Sequence, residues 1–175
     1  MVDRAFVATM AAYNAEMNRR LYGAALRLPD AERRRDRGAF WGTIHGTLCH
    51  LLWGDRMWMA RFDGWQRPDT AIAGSAALIA DFDALTAART AADARICAWA
   101  ARVEPSWLAG RMSFHSAGAG REITAPVGLL VTHFFNHQTH HRGQAHALIT
   151  AAGEATGDTD LFLVVPAPVI PAPPA

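Results

Sequence analysis

The chain has 175 residues, of which 51% are hydrophobic and 19% charged, and its 17 lysines and arginines against 16 acidic residues give a formal net charge of +1. This composition excludes a disordered chain and a basic nucleic-acid-binding arm, and the length suits one domain. No apolar run approaches the roughly 18 residues of a membrane span, so no membrane partner is expected. The two cysteines, Cys49 and Cys97, lie in helical patterns, which favours a reducing, cytoplasmic location without disulfides.

The first half of the chain has the apolar spacing of two long helices. The first is predicted over residues 3–28, with Asp3 as its N-cap and Pro29 closing it. Residues 29–38 form a charged connector with room for one short helical turn. The second helix is predicted over residues 41–62 and is apolar on nearly all sides, so we expect a second subunit to cover part of it in a homodimer.

The second half predicts two more long helices with a β-hairpin between them. Residues 63–74 contain glycines and a proline and are predicted to be a loop, after which a third helix spans residues 75–103. Two short extended segments, 111–115 and 121–124, are predicted to form the hairpin. The last helix opens at Pro126 and continues to residue 152.

Eight histidines are present, and five of them lie in the predicted last helix: His133, His137, His140, His141 and His146. A rotation of about 100° per residue directs His137 and His141 most nearly toward the apolar face of this helix. His133 and His140 fall on the shoulder of that face, and His146 lies toward the opposite side. Imidazoles four residues apart have Cβ atoms roughly 6 Å apart and can bind one cation together. The alternative interpretation is that each is an ordinary hydrogen-bonded, half-buried histidine.

A third ligand has to come from another helix, because two histidines alone bind a divalent ion weakly. The second helix offers His45 and His50, which lie on opposite flanks of its apolar face, so helical periodicity does not choose between them. The same face contains Asp55, whose buried carboxylate requires a partner. Arg142 on the last helix is the predicted partner.

Other reactive or bulky side chains near these positions are expected to belong to the core. Cys49 lies about 100° around the helix from His50, which favours packing over metal binding. Ser75 has no nucleophile motif around it. The position of His115 on the hairpin is the one observation that favours its lying over the site. Packing is also predicted for three aromatic residues, Trp41, Trp53 and Trp58.

Two motifs carry a family resemblance: TIHGTLCHLLWGDRMW at residues 43–58 and HFFNHQTHHRGQ at residues 133–144. Together with GDTDL at 157–161 they resemble the DinB/YfiT-like family over residues 1–165. The resemblance implies an all-α four-helix bundle in one domain over 1–165, with the small β-hairpin before the last helix. Residues 166–175 are proline-rich, fall outside the pattern and are expected to form a flexible tail.

The resemblance also implies a metal site. In that family a divalent cation, usually nickel or zinc, is held by one histidine of the second helix and two of the last. These correspond to His50, His137 and His141. Many members have tyrosine at the position of His140, which is therefore expected to lie outside the ligand set. It is expected to act either as an additional base beside the metal or as a hydrogen-bond donor supporting the ligands.

An open three-histidine site predicts a metal-dependent enzyme. Three neutral histidines leave a coordination position for water or substrate, as in catalytic sites. Family members include thiol-dependent transferases and isomerases, so we expect hydrolysis or thiol transfer on a small molecule, with a low-molecular-weight thiol as a candidate partner. The first alternative is a non-catalytic metal-binding or stress- and damage-associated protein. The second is haem held between histidines, which suits three converging imidazoles less well.

Overall fold

The computed structural model describes residues 2–116 and 119–165, so the predicted tail 166–175 lies outside the described residues. The described part is mostly helical, with four long helices and a small antiparallel hairpin before the last of them. The elements in chain order are α1 (Arg4–Arg27), α2 (Asp30–Arg34), α3 (Ile44–Asp63), a 3-10 helix (Ile72–Ala77), α4 (Phe82–Arg102), α5 (Pro105–Leu108), β1 (Arg111–Ser116), β2 (Arg121–Pro126), α6 (Val127–Ala151) and α7 (Leu161–Val164).

Capping side chains decide where three of the long helices, α1, α3 and α4, begin. The carboxylate of Asp3 accepts a hydrogen bond from the backbone N–H of Phe6 at 2.8 Å, which confirms the predicted N-cap of α1. Helix α3 begins later than predicted, at Ile44 instead of residue 41. The reason is that the hydroxyl of Thr43 accepts from the N–H of Gly46 at 2.8 Å and so caps the helix there.

The predicted third helix over 75–103 is wrong in its first turns. The chain instead forms the short 3-10 helix and then begins α4 at Phe82, because the carboxylate of Asp81 accepts from the N–H of Ala84 at 2.8 Å. The 3-10 helix packs against α3. As a result Ser75 is fully buried beside α3 and lies outside any long helix.

The four long helices pack against one another through their apolar faces. Helix α1 contacts α4 and α6, and α3 contacts the same two helices. The fully buried side chains at their centre include Leu21, Leu48, Leu52, Leu85 and Phe135. Among the described residues, no helix combines the length and the apolar composition needed to cross a membrane.

The predicted β-hairpin is confirmed and covers one end of α3. Strands β1 and β2 pair antiparallel, with Phe114 opposite Ile123 and His115 opposite Glu122. Side chains alternate between the two faces of a strand. Phe114 therefore packs on Trp58 of α3, with ring centroids 5.5 Å apart, whereas His115 is exposed beside Glu122.

Candidate metal site

Three histidines from two helices meet at one point. His50 lies on α3, and His137 and His141 lie one turn apart on α6; each offers a ring nitrogen, and these nitrogens all lie within 4.8 Å of one another. Nε2 of His50 is 3.4 Å from Nε2 of His137. The two helices are held in contact by the core, which explains why the cluster forms at their interface.

Packing and hydrogen bonds orient two of these rings. The ring of His50 stacks on Trp41, with centroids 3.8 Å apart, and its Nδ1 lies 2.9 Å from the hydroxyl of Ser75. Nδ1 of His141 donates to the side-chain oxygen of Gln144 at 2.7 Å. The proton of His141 is therefore on Nδ1, so its Nε2 has a free lone pair, and the contact of Nδ1 with Ser75 leaves Nε2 of His50 directed at His137.

The protein environment keeps the three imidazoles neutral. Burial lowers the pKa of His50 to about 3, and the neighbouring rings of His141 and His137 add to the effect. Burial likewise lowers the pKa of His137 to about 4 and also lowers that of His141. All three are therefore unprotonated at neutral pH, which is the form that binds metals.

The donor set fits a divalent cation. Two ligands at about 2.1 Å from a tetrahedral ion lie roughly 3.4 Å apart, which is the separation seen between the Nε2 atoms of His50 and His137. Imidazole nitrogen is a preferred ligand of zinc, nickel, copper and iron ions, and this set alone does not select among them. Three protein ligands leave at least one position open.

The ring of His137 lies directly against the backbone of α3. A methyl group on Gly54 would be 2.9 Å from its Cε1 atom. Position 54 therefore requires a residue without a side chain if His137 is to reach the cluster. Gly54, Ser75 and Gln144 thus position the three histidine rings, and the sequence did not predict any of these three roles.

A cavity of about 750 Å³ opens onto the three histidines. Its walls come from α3, α6, the loop after α3 and the hairpin. Its aromatic wall is formed by Trp41, Trp53 and Trp58. These three residues were predicted to serve in packing alone, so that prediction was incomplete. The cavity volume suits a small organic molecule.

The structure separates the remaining histidines from the group of three. His45 is buried, but its Nε2 donates to the carbonyl of Ile79 at 2.8 Å, and it is His50 that joins the group of three. His133 and His140 line the cavity without joining the group. His146 lies 2.6 Å from the hydroxyl of Thr156, and His115 does not line the cavity.

The predicted pairing of Asp55 with Arg142 is wrong. Asp55 accepts from the guanidinium of Arg89 on α4 and from the amide of Gln138, while Arg142 donates to the other end of that amide at 3.3 Å. Arg89 also pairs with Asp93 at 2.7 Å. Helical periodicity marked Asp55 as buried, but it does not show that α4 places an arginine opposite it.

Burial disfavours the charged forms of the two carboxyl groups in this network. It raises the pKa of Asp55, and it raises that of Asp93 to about 6, while Arg89 between the two carboxyls counteracts both shifts. Gln138 is the neighbour of His137 in the sequence of α6. The network therefore connects α3 and α4 to the helix that holds two of the three clustered histidines.

These features define a helical protein with a three-histidine group able to hold a metal ion beside a small-molecule cavity. Residues 1–167 match the DinB family, and the chain belongs to that family. The resemblance inferred from the two histidine motifs is thereby confirmed. No curated protein and no solved structure shows a significant match to the chain.

Proposed function

We propose that the protein is a metal-dependent enzyme whose divalent ion, nickel or zinc, is held by His50, His137 and His141. The observation that carries the proposal is the convergence of three neutral imidazole nitrogens within 4.8 Å at the wall of a cavity large enough for a substrate. The contacts among the four long helices support a four-helix bundle formed by a single domain over residues 1–165.

The residues of the chain have distinct tasks in this proposal. His50, His137 and His141 would hold the ion, and Ser75 and Gln144 orient two of the rings through their Nδ1 atoms. A divalent ion bound there supplies a Lewis acid for water or for a thiol. The cavity confines the small-molecule substrate beside it, which favours hydrolysis or thiol transfer over a purely structural metal site.

His140 is proposed as the proton acceptor. Its ring lines the cavity with its centroid 4.9 Å from that of His141, and its Nε2 accepts a hydrogen bond from the amide of Gln144 at 3.2 Å. Gln144 thus contacts both His141 and His140. The hydrogen bond occupies the lone pair of Nε2, so His140 accepts a proton once Gln144 releases it, and His140 acts beside the group of three without being a ligand.

Metal content and ligand exchange test the proposal. Protein purified without a histidine tag should contain one divalent ion per chain, His137→Ala should lose it, and His115→Ala on the exposed hairpin face should retain it. Titrating the cobalt-substituted protein with 2-mercaptoethanol should produce a sulfur-to-cobalt charge-transfer band. A loaded protein that exchanges neither water nor thiol would support the non-catalytic alternative, and a full metal content in His137→Ala would refute the ligand assignment.

A further inference from the structure

One face of α3 forms the floor of the cavity along most of the length of the helix. Its residues recur at intervals of three and four, as a single helical face requires, and all of them line the cavity: His50, Trp53, Gly54, Met57, Trp58 and Arg61. Arg61 follows His50 by eleven positions along the helix. With a rise of 1.5 Å per residue, their backbones lie about 16 Å apart on the same face. The cavity is therefore elongated, with the histidine group at one end and a cation at the other.

Arg61 is held in place by aromatic rings. Its guanidinium lies 4.7 Å from the ring centroid of Trp58 and 4.7 Å from that of Phe114. Among the residues that the structure describes, its one hydrogen bond is a long contact of 3.5 Å to the carbonyl of Met57. A guanidinium has five N–H donors, so most of those on Arg61 are free for a ligand.

No carboxylate in the described part of the chain forms an ion pair with the arginines at this end. Within residues 2–116 and 119–165, the ion pairs involve other arginines, and neither Arg61 nor Arg67 pairs with a carboxylate. Arg67 lines the same cavity and is exposed, and Asp69 is the single acidic residue among the described ones that line it. Burial and the nearby Arg67 both lower the pKa of Arg61, as expected for a cation without an anionic partner.

The surface between the two ends is apolar. Trp53, Met57 and Trp58 of α3 line it, and Phe114 of the hairpin packs on Trp58. Arginine side chains bind carboxylates through two parallel hydrogen bonds, and stacking on aromatic rings limits the orientations of the planar guanidinium. The three parts of the cavity thus match the two ends and the middle of an amphipathic molecule.

We propose that the cavity binds an elongated organic carboxylate, with its carboxylate on Arg61, its apolar body along Trp53, Met57 and Trp58, and its opposite end at the three histidines. The placement of that opposite end rests on the proposed function. The carboxylate pocket does not rest on the proposed function, because Arg61 and the aromatic wall form it without a metal ion.

The test measures binding of 6-phenylhexanoate and of its uncharged amide to the metal-free protein by calorimetry. Removing the metal excludes carboxylate binding to the ion. The acid should bind at least ten-fold more tightly than the amide, because the amide cannot form the charged pair with Arg61. Arg61→Met, which keeps apolar contact with both rings, should weaken binding of the acid to the level of the amide. Arg61→Lys should restore part of the preference.

The matched control is Arg56→Met, an arginine of the same helix that does not line this cavity, and it should leave both affinities unchanged. Equal binding of acid and amide by the wild-type protein would overturn the proposal without reference to any variant. A preference that survives in Arg61→Met would overturn the assignment to Arg61. Metal titration of the same preparations reports separately on the proposed function, so loss of metal binding with an intact acid preference would refute that function alone.

Discussion

The Cα atom of Gly54 and the imidazole ring of His137 are in such close contact that any side chain at position 54 would displace the ring. A methyl group there would lie 2.9 Å from the ring carbon Cε1, well inside van der Waals contact. The ring is the free end of a side chain, so it can move without unfolding the helices. Gly54 therefore determines the histidine geometry by leaving room for the ring of His137.

We expect Gly54→Ala to weaken zinc affinity by about ten-fold or more while the protein remains folded, because His137 can no longer direct its nitrogen to the cluster. Isothermal titration with zinc measures the affinity, and circular dichroism checks the fold. Gly143→Ala is the matched control, since position 143 lies on α6 with open space around it. It should retain zinc affinity and gain roughly 0.5–1 kcal/mol of stability from helix propensity. Equal zinc affinities in the two variants would contradict the role of Gly54.

Ser75→Ala tests the hydrogen bond that orients His50. Removing the hydroxyl leaves Nδ1 of a fully buried ring without its partner at 2.9 Å. Zinc affinity should fall by about 10- to 100-fold, the usual effect of losing a hydrogen bond to a ligating histidine. Ser106→Ala, at an exposed position of α5, should have no effect. If Ser75→Ala binds zinc as tightly as Ser106→Ala, the stacking of Trp41 alone orients His50.

Replacing Arg89 should be among the most destabilising single changes near the site. Arg89→Met leaves the carboxyl groups of Asp55 and Asp93 buried without their shared cation, and we expect a loss of about 3–5 kcal/mol in the free energy of unfolding. Urea denaturation measures it. Arg19→Met removes an exposed pair with Glu16 and should cost under about 1 kcal/mol. Similar losses in the two variants would mean that the buried network contributes little.

The low pKa values of the clustered histidines predict how the stability of the metal-free protein depends on pH. Because the pKa of His50 is about 3 in the folded state and near 6.5 when unfolded, the unfolded chain binds more protons between these values, and stability falls as the pH falls below about 6.5. We expect His50 to account for a loss of about 1–2 kcal/mol between pH 7 and pH 5.

The measurement is the difference in unfolding free energy between the wild type and His50→Gln at pH 7, 6 and 5. This difference is required because Asp93, with a pKa raised to about 6, has the opposite effect: its contribution to stability falls as the pH rises from about 4 to 6. The wild type should lose stability relative to His50→Gln as the pH decreases. Parallel curves would show that His50 is not held neutral by the fold.

Local sequence signals predicted most of the helices and the inward direction of His137 and His141. Periodicity suffices for these features, because each depends on one helix alone. The break between the 3-10 helix and α4 was missed, since an alanine-rich stretch continues across it and only the cap by Asp81 interrupts it. The choice of His50 over His45 depended on family resemblance. The periodicity of α3 alone does not show which of its flanks lies opposite α6.

Contacts between elements distant in sequence were not predictable in the same way. Ser75 reaches His50 across 25 residues, and Arg89 reaches Asp55 across 34. Nothing in the pattern of either helix specifies these partners; they follow from the packing of α4 and the 3-10 helix against α3. The homodimer expected from the apolar surface of the second helix stays a prediction.

Anomalous diffraction from crystals of the protein loaded with zinc or nickel tests the central claim most directly. The account predicts one anomalous peak per chain, about 2.0–2.2 Å from the Nε2 atoms of His50, His137 and His141. It also predicts that Nδ1 of His141 still bonds to Gln144. A peak bound by other side chains, or three imidazoles that remain free of metal in the presence of excess ion, would contradict the account.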